Sequence, residues 1–251
     1  MLTTRRKQHI LNLLKRDGQI IAKDLSQELE LSEDTIRRDL RELASEGLLQ
    51  RVHGGALPAS PAIADFTAPE SIATSAKTAI GRAAANMIQA KSVVFVDGGT
   101  TAVQLVRHLV PDLEATIVTH SPTIALELVQ HPGIEVILIG GKLFKHSVVA
   151  IGAVAIEAIS RIRADLYFMG ATGIHAEVGL STGDLEEAHV KRALIASAAE
   201  TIVLASSEKL NAASKYLIAP INQISGLITE KSVPSAVLAP FRKMGLSITR
   251  A

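Results

Sequence analysis

The stretch Ser32-Glu33-Asp34-Thr35-Ile36-Arg37-Arg38-Asp39-Leu40-Arg41-Glu42-Leu43 decides how the N-terminal part of the chain is read. Ser32 is a good N-cap, and Ile36, Leu40 and Leu43 fall at i, i+4 and i+7, so one apolar stripe faces a core. Advancing about 100° per residue from Ile36 places Arg37, Arg41 and Arg38 at about 100°, 140° and 200°, all turned away from that stripe. The spacing predicts a helix over 33–46, ended by Gly47. Such a helix fits a major groove, where Arg37, Arg38 or Arg41 would grip guanine O6 and N7 bidentately. Thr35 and the amide end of the helix near Ser32 suit a backbone phosphate.

Working outward, Ile10, Leu11, Leu13 and Leu14 mark one helix upstream, and Ala22, Leu25 and Leu29 mark a second. Downstream, Leu48 to Ala56 reads as a two-stranded wing with Gly54-Gly55 near its turn or exit, and Arg51 and His53 as further DNA contacts. Residues 1–57 therefore form one unit, a helix-turn-helix with a wing. Periodicity alone serves an amphipathic bundle with a solvated arginine face equally well, since ten Lys/Arg stand against nine Asp/Glu in this segment. From Pro58 to residue 76 the composition turns to Ala, Ser, Pro and Thr, and Pro58, Pro61 and Pro69 break any regular pattern, which predicts a linker.

Residues 77–251 alternate strands and helices, which predicts an open, largely parallel α/β sheet covered by helices. Strands are expected over 92–97, 115–119, 134–139, 165–169, 201–206, 225–229 and 246–249. In such sheets ligands bind beyond the carboxyl ends of the strands. Asp97-Gly98-Gly99-Thr100-Thr101 follows the first strand, and its small residues let backbone amides reach an anion at the start of the next helix. The companion loops are Thr119-His120-Ser121, Gly140-Gly141-Lys142, Gly170-Ala171-Thr172-Gly173 and Ser206-Ser207-Glu208-Lys209. Asp97 is expected to accept from sugar hydroxyls, with Lys191 and Lys209 as point charges for phosphate. Taken singly, each glycine- and threonine-bearing loop is also what an ordinary turn requires.

At 251 residues the chain has room for two domains, and no apolar run approaches the ~18 residues of a membrane helix, so a cytoplasmic protein is expected. Cysteine is absent, which removes disulfides, thiolate metal sites and cysteine nucleophiles. His108, His120, His131, His146, His175 and His189 show no tight ligand spacing, so no metal is expected. A formal net charge of +1 argues against a chromosome-coating protein, whose affinity would come from neutralising phosphates.

The series Arg6, Ile10, Leu14, Ser32, Thr35-Ile36-Arg37-Arg38-Asp39-Leu40 and Arg51-Val52-His53-Gly54-Gly55-Ala56 resembles the DeoR/GlpR family of bacterial regulators. The segment Gly179-Leu180-Ser181-Thr182-Gly183-Asp184-Leu185-Glu186-Glu187-Ala188-His189-Val190-Lys191-Arg192 is similar to a motif of that family's sensor domain. The resemblance implies a winged helix-turn-helix whose helix 33–46 enters the major groove. It also implies a sensor domain folded like ribose-5-phosphate isomerase and the CoA transferases, which detects a phosphorylated sugar without a cofactor. Two positions depart from the pattern: Phe144 stands where many members have arginine, and Ser206 where they have aspartate. The expected protein is a repressor of carbohydrate-metabolism genes, at least a dimer on operator DNA and not an enzyme. The competing expectation is a phosphosugar isomerase with a DNA-binding extension, its general base drawn from Asp97, Glu186 or Glu187. The loop Gly170-Ala171-Thr172-Gly173-Ile174-His175 is poor in the acids that the resembling isomerases carry.

Overall fold

The computed structural model describes residues 2–60 and 74–251. The first unit runs α1 (Thr3–Asp17), β1 (Ile20–Ile21), α2 (Ala22–Glu28), α3 (Glu33–Ser45), β2 (Leu49–Val52) and β3 (Gly55–Pro58). Ile10, Leu14, Leu25, Ile36, Leu40, Leu43 and Leu49 interlock as its core. Arg6 of α1 meets Asp39 of α3 in a buried, two-pronged ion pair, its Nη2 donating to Oδ1 at 3.1 Å. The hydrogen bond to Asp39 holds the Arg6 guanidinium more firmly protonated than usual. Two helices are thus locked by one polar contact in a small core.

The wing has three strands, ordered β1-β3-β2, where the sequence predicts two. β1 is two residues long, too short to carry a period-2 signal. Gly55 is required where β3 crosses β1, because a Cβ there would lie 1.7 Å from the Ile20 carbonyl oxygen. Of the linker expected over 58–76, residues 61–73 lie outside the described residues; on either side, β3 runs on to Pro58 and the next helix opens at Thr74.

The second unit begins with α4 (Thr74–Ala85), β4 (Val93–Val96), α5 (Thr100–Arg107), β5 (Ala115–Thr119), α6 (Pro122–Leu128) and β6 (Ile134–Leu138). It continues with a hairpin, β7 (Lys142–Phe144) and β8 (Val149–Ile151), then α7 (Ala153–Ser160) and β9 (Ala164–Gly170). After these come β10 (Gly173–His175), β11 (Gly179–Thr182), α8 (Leu185–Ser197), β12 (Ala198–Leu204), β13 (Tyr216–Ala219), β14 (Gly226–Thr229), α9 (Ser235–Lys243) and β15 (Ser247–Arg250). Seven strands form one sheet ordered β15-β14-β12-β9-β4-β5-β6, every pairing parallel.

Side chains alternate across this sheet. Tyr167 and Met169 of β9 join the core with α7, α8 and α9, while Phe168 joins the opposite core with α4, α5 and α6. The chain winds outward from β4 to β6, returns to β9 beside β4, and winds outward again to β15. The strand order therefore reverses between β4 and β9, and a crevice opens at their carboxyl ends. The β7–β8 hairpin and the three-stranded β10-β11-β13 sheet are not predicted by the sequence, because several of these strands have only three residues. Among the described residues no helix is long and apolar enough to cross a membrane.

Candidate functional site

Ser32 caps α3 as the sequence predicts, its Oγ accepting from the Thr35 amide at 3.3 Å and lying 3.0 Å from the Thr35 hydroxyl. Burial of Ile36, Leu40 and Leu43 turns Arg37, Arg38 and Arg41 outward, all exposed. Arg51 and His53 of the wing are also exposed. Arg37, Arg51 and His53 line a cleft of about 260 Å³ with Leu40, Val52 and Gly54 at its floor and sides. Arg37 is already engaged by Glu33, one turn back, at 2.7 Å. The protein thus presents cations from two elements around one concave surface, with Arg37 held in place by its own helix.

In the second unit, Asp97 sits at the end of β4, buried, and both its carboxylate oxygens are occupied. Oδ1 accepts from the Gly98 amide at 2.8 Å and His120 Nε2 at 2.9 Å. Oδ2 accepts from the Gly170 amide at 2.9 Å, the Tyr167 hydroxyl at 3.2 Å and Lys191 Nζ. Lys191 Nζ also donates to the Gly170 carbonyl at 2.9 Å, with Glu187 Oε1 at 3.7 Å. Burial opposes ionisation of Asp97, but the Lys191 charge and the His120 hydrogen bond outweigh it and hold the carboxyl well below the usual range. Burial likewise pulls Lys191 down, and Asp97 and Glu187 more than restore it. Tyr167 is pushed up by burial and by the Asp97 charge, so it remains a donor.

Asp97 and Lys191, expected from the sequence to face a sugar phosphate, are thus spent on each other and on three loops. His120 Nδ1 donates to the Ala150 carbonyl at 2.9 Å, and the Ser121 hydroxyl to that of Val148 at 3.1 Å, tying the Thr119-His120-Ser121 loop to β8. The Thr119 hydroxyl closes back on the Val96 carbonyl at 2.7 Å. Gly98 passes so close to β8 that a Cβ would lie 2.4 Å from the Val149 side chain. Lys142 opens β7 in an exposed position, and Gly140 and Gly141 precede it; none of the three has a hydrogen bond to the Asp97 cluster among the described residues. Phe144 packs on the core and lies 5.8 Å from the His146 ring, while Ser206 is buried and donates to Glu208.

Further cationic groups lie near the Asp97 cluster. Gly99, with φ 109°, caps α5, whose first amides, at Thr100 and Thr101, lack carbonyl partners within the helix. The buried Thr101 hydroxyl has no hydrogen-bond partner. Lys209 is pulled down by burial and by the neighbouring charges of Lys77 and Lys191, against Glu208 and Asp97. Lys77, buried at the start of α4, is pulled down by its own burial. Lys77 and Tyr167 are absent from the sequence-derived site: Tyr167 reads as an ordinary strand core residue, and Lys77 lies at the border of a linker with no motif around it.

Thr172 places the remaining loop at a junction. Its hydroxyl donates to the Ser181 carbonyl at 3.0 Å and lies 2.8 Å from the Ser214 hydroxyl, while its carbonyl accepts from Ser60 Oγ. Beside it the Ala213 amide donates to the Pro58 carbonyl at 3.2 Å and the Ser60 amide to the Ala213 carbonyl at 3.3 Å. The chain leaving the wing is therefore hydrogen-bonded to the crevice wall.

Residues 6–61 match the model of the DeoR-like helix-turn-helix domain, and residues 72–231 that of the DeoR C terminal sensor domain. The chain belongs to the DeoR family. It is 32% identical to the HTH-type transcriptional regulator GlpR of Haloferax volcanii, over 99% of this chain and 98% of that one. The glycerol-3-phosphate regulon repressor of Escherichia coli is 30% identical over 95% of each chain. Ribose 5-phosphate isomerase A of Methanocaldococcus jannaschii overlaps 53% of this chain and 52% of its own at 16% identity and a TM-score of 0.39, a partial likeness. This DeoR-family protein is a DNA-binding transcriptional regulator and not an enzyme. The chemistry agrees: Asp97, the carboxylate best placed for a general base, is held ionised by five donors and is a weak proton acceptor.

Proposed function

We propose that this protein is a repressor of carbohydrate-metabolism genes. It grips operator DNA through α3 and the wing, as at least a dimer, and changes that grip when a phosphorylated sugar enters the β4/β9 crevice. Arg38 and Arg41 read bases, Arg37 joins them once Glu33 yields it, and Ser32, Thr35, Arg51 and His53 steady the phosphate backbone.

The carrying observation for the effector is Lys209, partly buried and without a side-chain hydrogen bond or ion pair among the described residues, together with the unpartnered Thr101 hydroxyl at the start of α5. An ammonium group burdened by burial and by neighbouring cations is relieved by an anion. The Gly98–Thr101 loop cradles the phosphate, the Thr172 and Ser121 loops border the sugar, and Asp97 with Lys191 holds these loops in register. Because Thr172 bonds Ser60, a ligand that shifts this loop shifts the chain that leads to the wing.

A thermal-shift panel of sugar phosphates and their free sugars tests this. A true effector at 100 times its Kd adds about 2.7 kcal/mol of stability. The expected result is a shift with one phosphosugar, none with its free sugar, and altered operator affinity on adding it. Equal shifts with the free sugar would remove the phosphate role from the cradle.

A further inference from the structure

The seven-stranded sheet has two edges, and they are built differently. At β15, Ser247, Thr249 and Arg250 are exposed. Arg250 donates to the carbonyls of Lys231 and, at 2.8 Å, Val233, and the Ala251 backbone bonds Thr229 and Lys231. This is a polar border whose end is tied back to the segment after β14. At the other edge, β6 reads Ile134-Glu135-Val136-Ile137-Leu138, with no lysine, proline or bulge to discourage a neighbour. It packs on β5 and α6, and no strand among the described residues lies beyond it. Its one charge, Glu135, accepts from the Thr116 hydroxyl of β5 at 2.9 Å and so is held by its own sheet.

On β6, on α6 packed against it, and on β7 and α7, which follow β6 in the chain, Leu126, Val129, Ile137, Leu138, Leu143 and Val154 are 72, 65, 38, 51, 49 and 68% exposed. Together they offer on the order of 500 Å² of apolar surface, at the upper end of what a monomer leaves in water. That is about the apolar share of the ~800 Å² each partner contributes to a standard interface.

We propose that a second copy of this chain covers this edge, β6 pairing antiparallel with its symmetry mate across a two-fold axis and joining two sheets into one. Area and symmetry select the occupant. An isologous contact needs a single self-complementary patch, which an edge strand flanked by aliphatics supplies. A two-fold related pair also carries two recognition helices to two half-sites. The choice of a second copy rests on the operator function proposed above; the surface itself is tested without DNA.

The test is sedimentation of the full-length protein over a concentration series, for wild type, Ile137→Lys, Leu126→Lys and, on the opposite edge, Thr249→Lys. The expected result is a wild-type dimer whose Kd rises at least tenfold in the first two variants, because each places two like charges about one axis. Thr249→Lys should sediment as wild type, and all should share one melting temperature when monomeric. A wild type that stays monomeric, or variants that dimerise like it, would overturn the proposal. Variants that melt lower than monomeric wild type would also overturn it, by showing the edge to be covered by the chain's own residues.

Discussion

The cations of α3 and those of the sensor crevice make an instructive pair. Arg37, Arg38 and Arg41 stand in solvent, whereas Lys77, Lys191 and Lys209 are wholly or partly buried, and burial acts on all three. Exposed guanidinium groups cost nothing in desolvation and can be offered to a large polyanion that brings its own counterions to release. Buried ammonium groups need a specific partner. Lys191 has one in Asp97, and Lys209 has no side-chain hydrogen bond or ion pair among the described residues. The same formal charge is therefore exposed on α3, paired at Lys191 and, among the described residues, unpaired at Lys209.

The bracing pair should show the largest effect. Asp97→Ala leaves Lys191 buried with only Glu187 as a nearby counter-charge, and should destabilise the sensor by about 3–5 kcal/mol in a denaturant titration. A loss below 1 kcal/mol would mean the pair does not hold the loops. Arg38→Ala should weaken operator binding by about 1–3 kcal/mol with unchanged stability. Arg37→Ala should lose less, because Arg37 must first give up Glu33; equal losses in a binding titration would erase that distinction.

Lys209→Met should weaken the effector about tenfold, or ~1.4 kcal/mol, while leaving operator affinity without effector intact. Its pH dependence separates capture from bracing. The protonated ammonium is the form that holds a phosphate, and Lys209 has its pKa lowered in the protein. Affinity should thus be full below that lowered pKa and fall as pH rises through it, before an exposed lysine would titrate; in Lys209→Met this fall should vanish. The smallest effect belongs to Thr101→Val, which removes a buried hydroxyl lacking a partner. Stability without effector should change by less than about 1 kcal/mol or rise, and effector affinity should drop. A clear destabilisation would mean that the hydroxyl is already satisfied.

From the residues alone, α3 was legible to its cap, since Ser32 and the Ile36-Leu40-Leu43 spacing are local signals that no distant contact overrides. The parallel sheet and the loops beyond its strands were legible for the same reason: strands buried on both faces announce themselves as apolar runs, and the loops follow them. Local pattern likewise put Arg37, Arg38 and Arg41 on the outside. What the chain brings together across tens of residues was not legible. Whether Asp97 meets a sugar or Lys191, 94 positions away, depends on β4 and β9 becoming neighbours at the switch point. Only that juxtaposition turned two expected ligand groups into a brace and brought the charge of Lys209 near it. The three-residue strands, the Ser60–Thr172 bond and the contrast between the β6 and β15 edges arise in the same way. Periodicity reports which face of a segment is buried, and only tertiary packing decides what it is buried against.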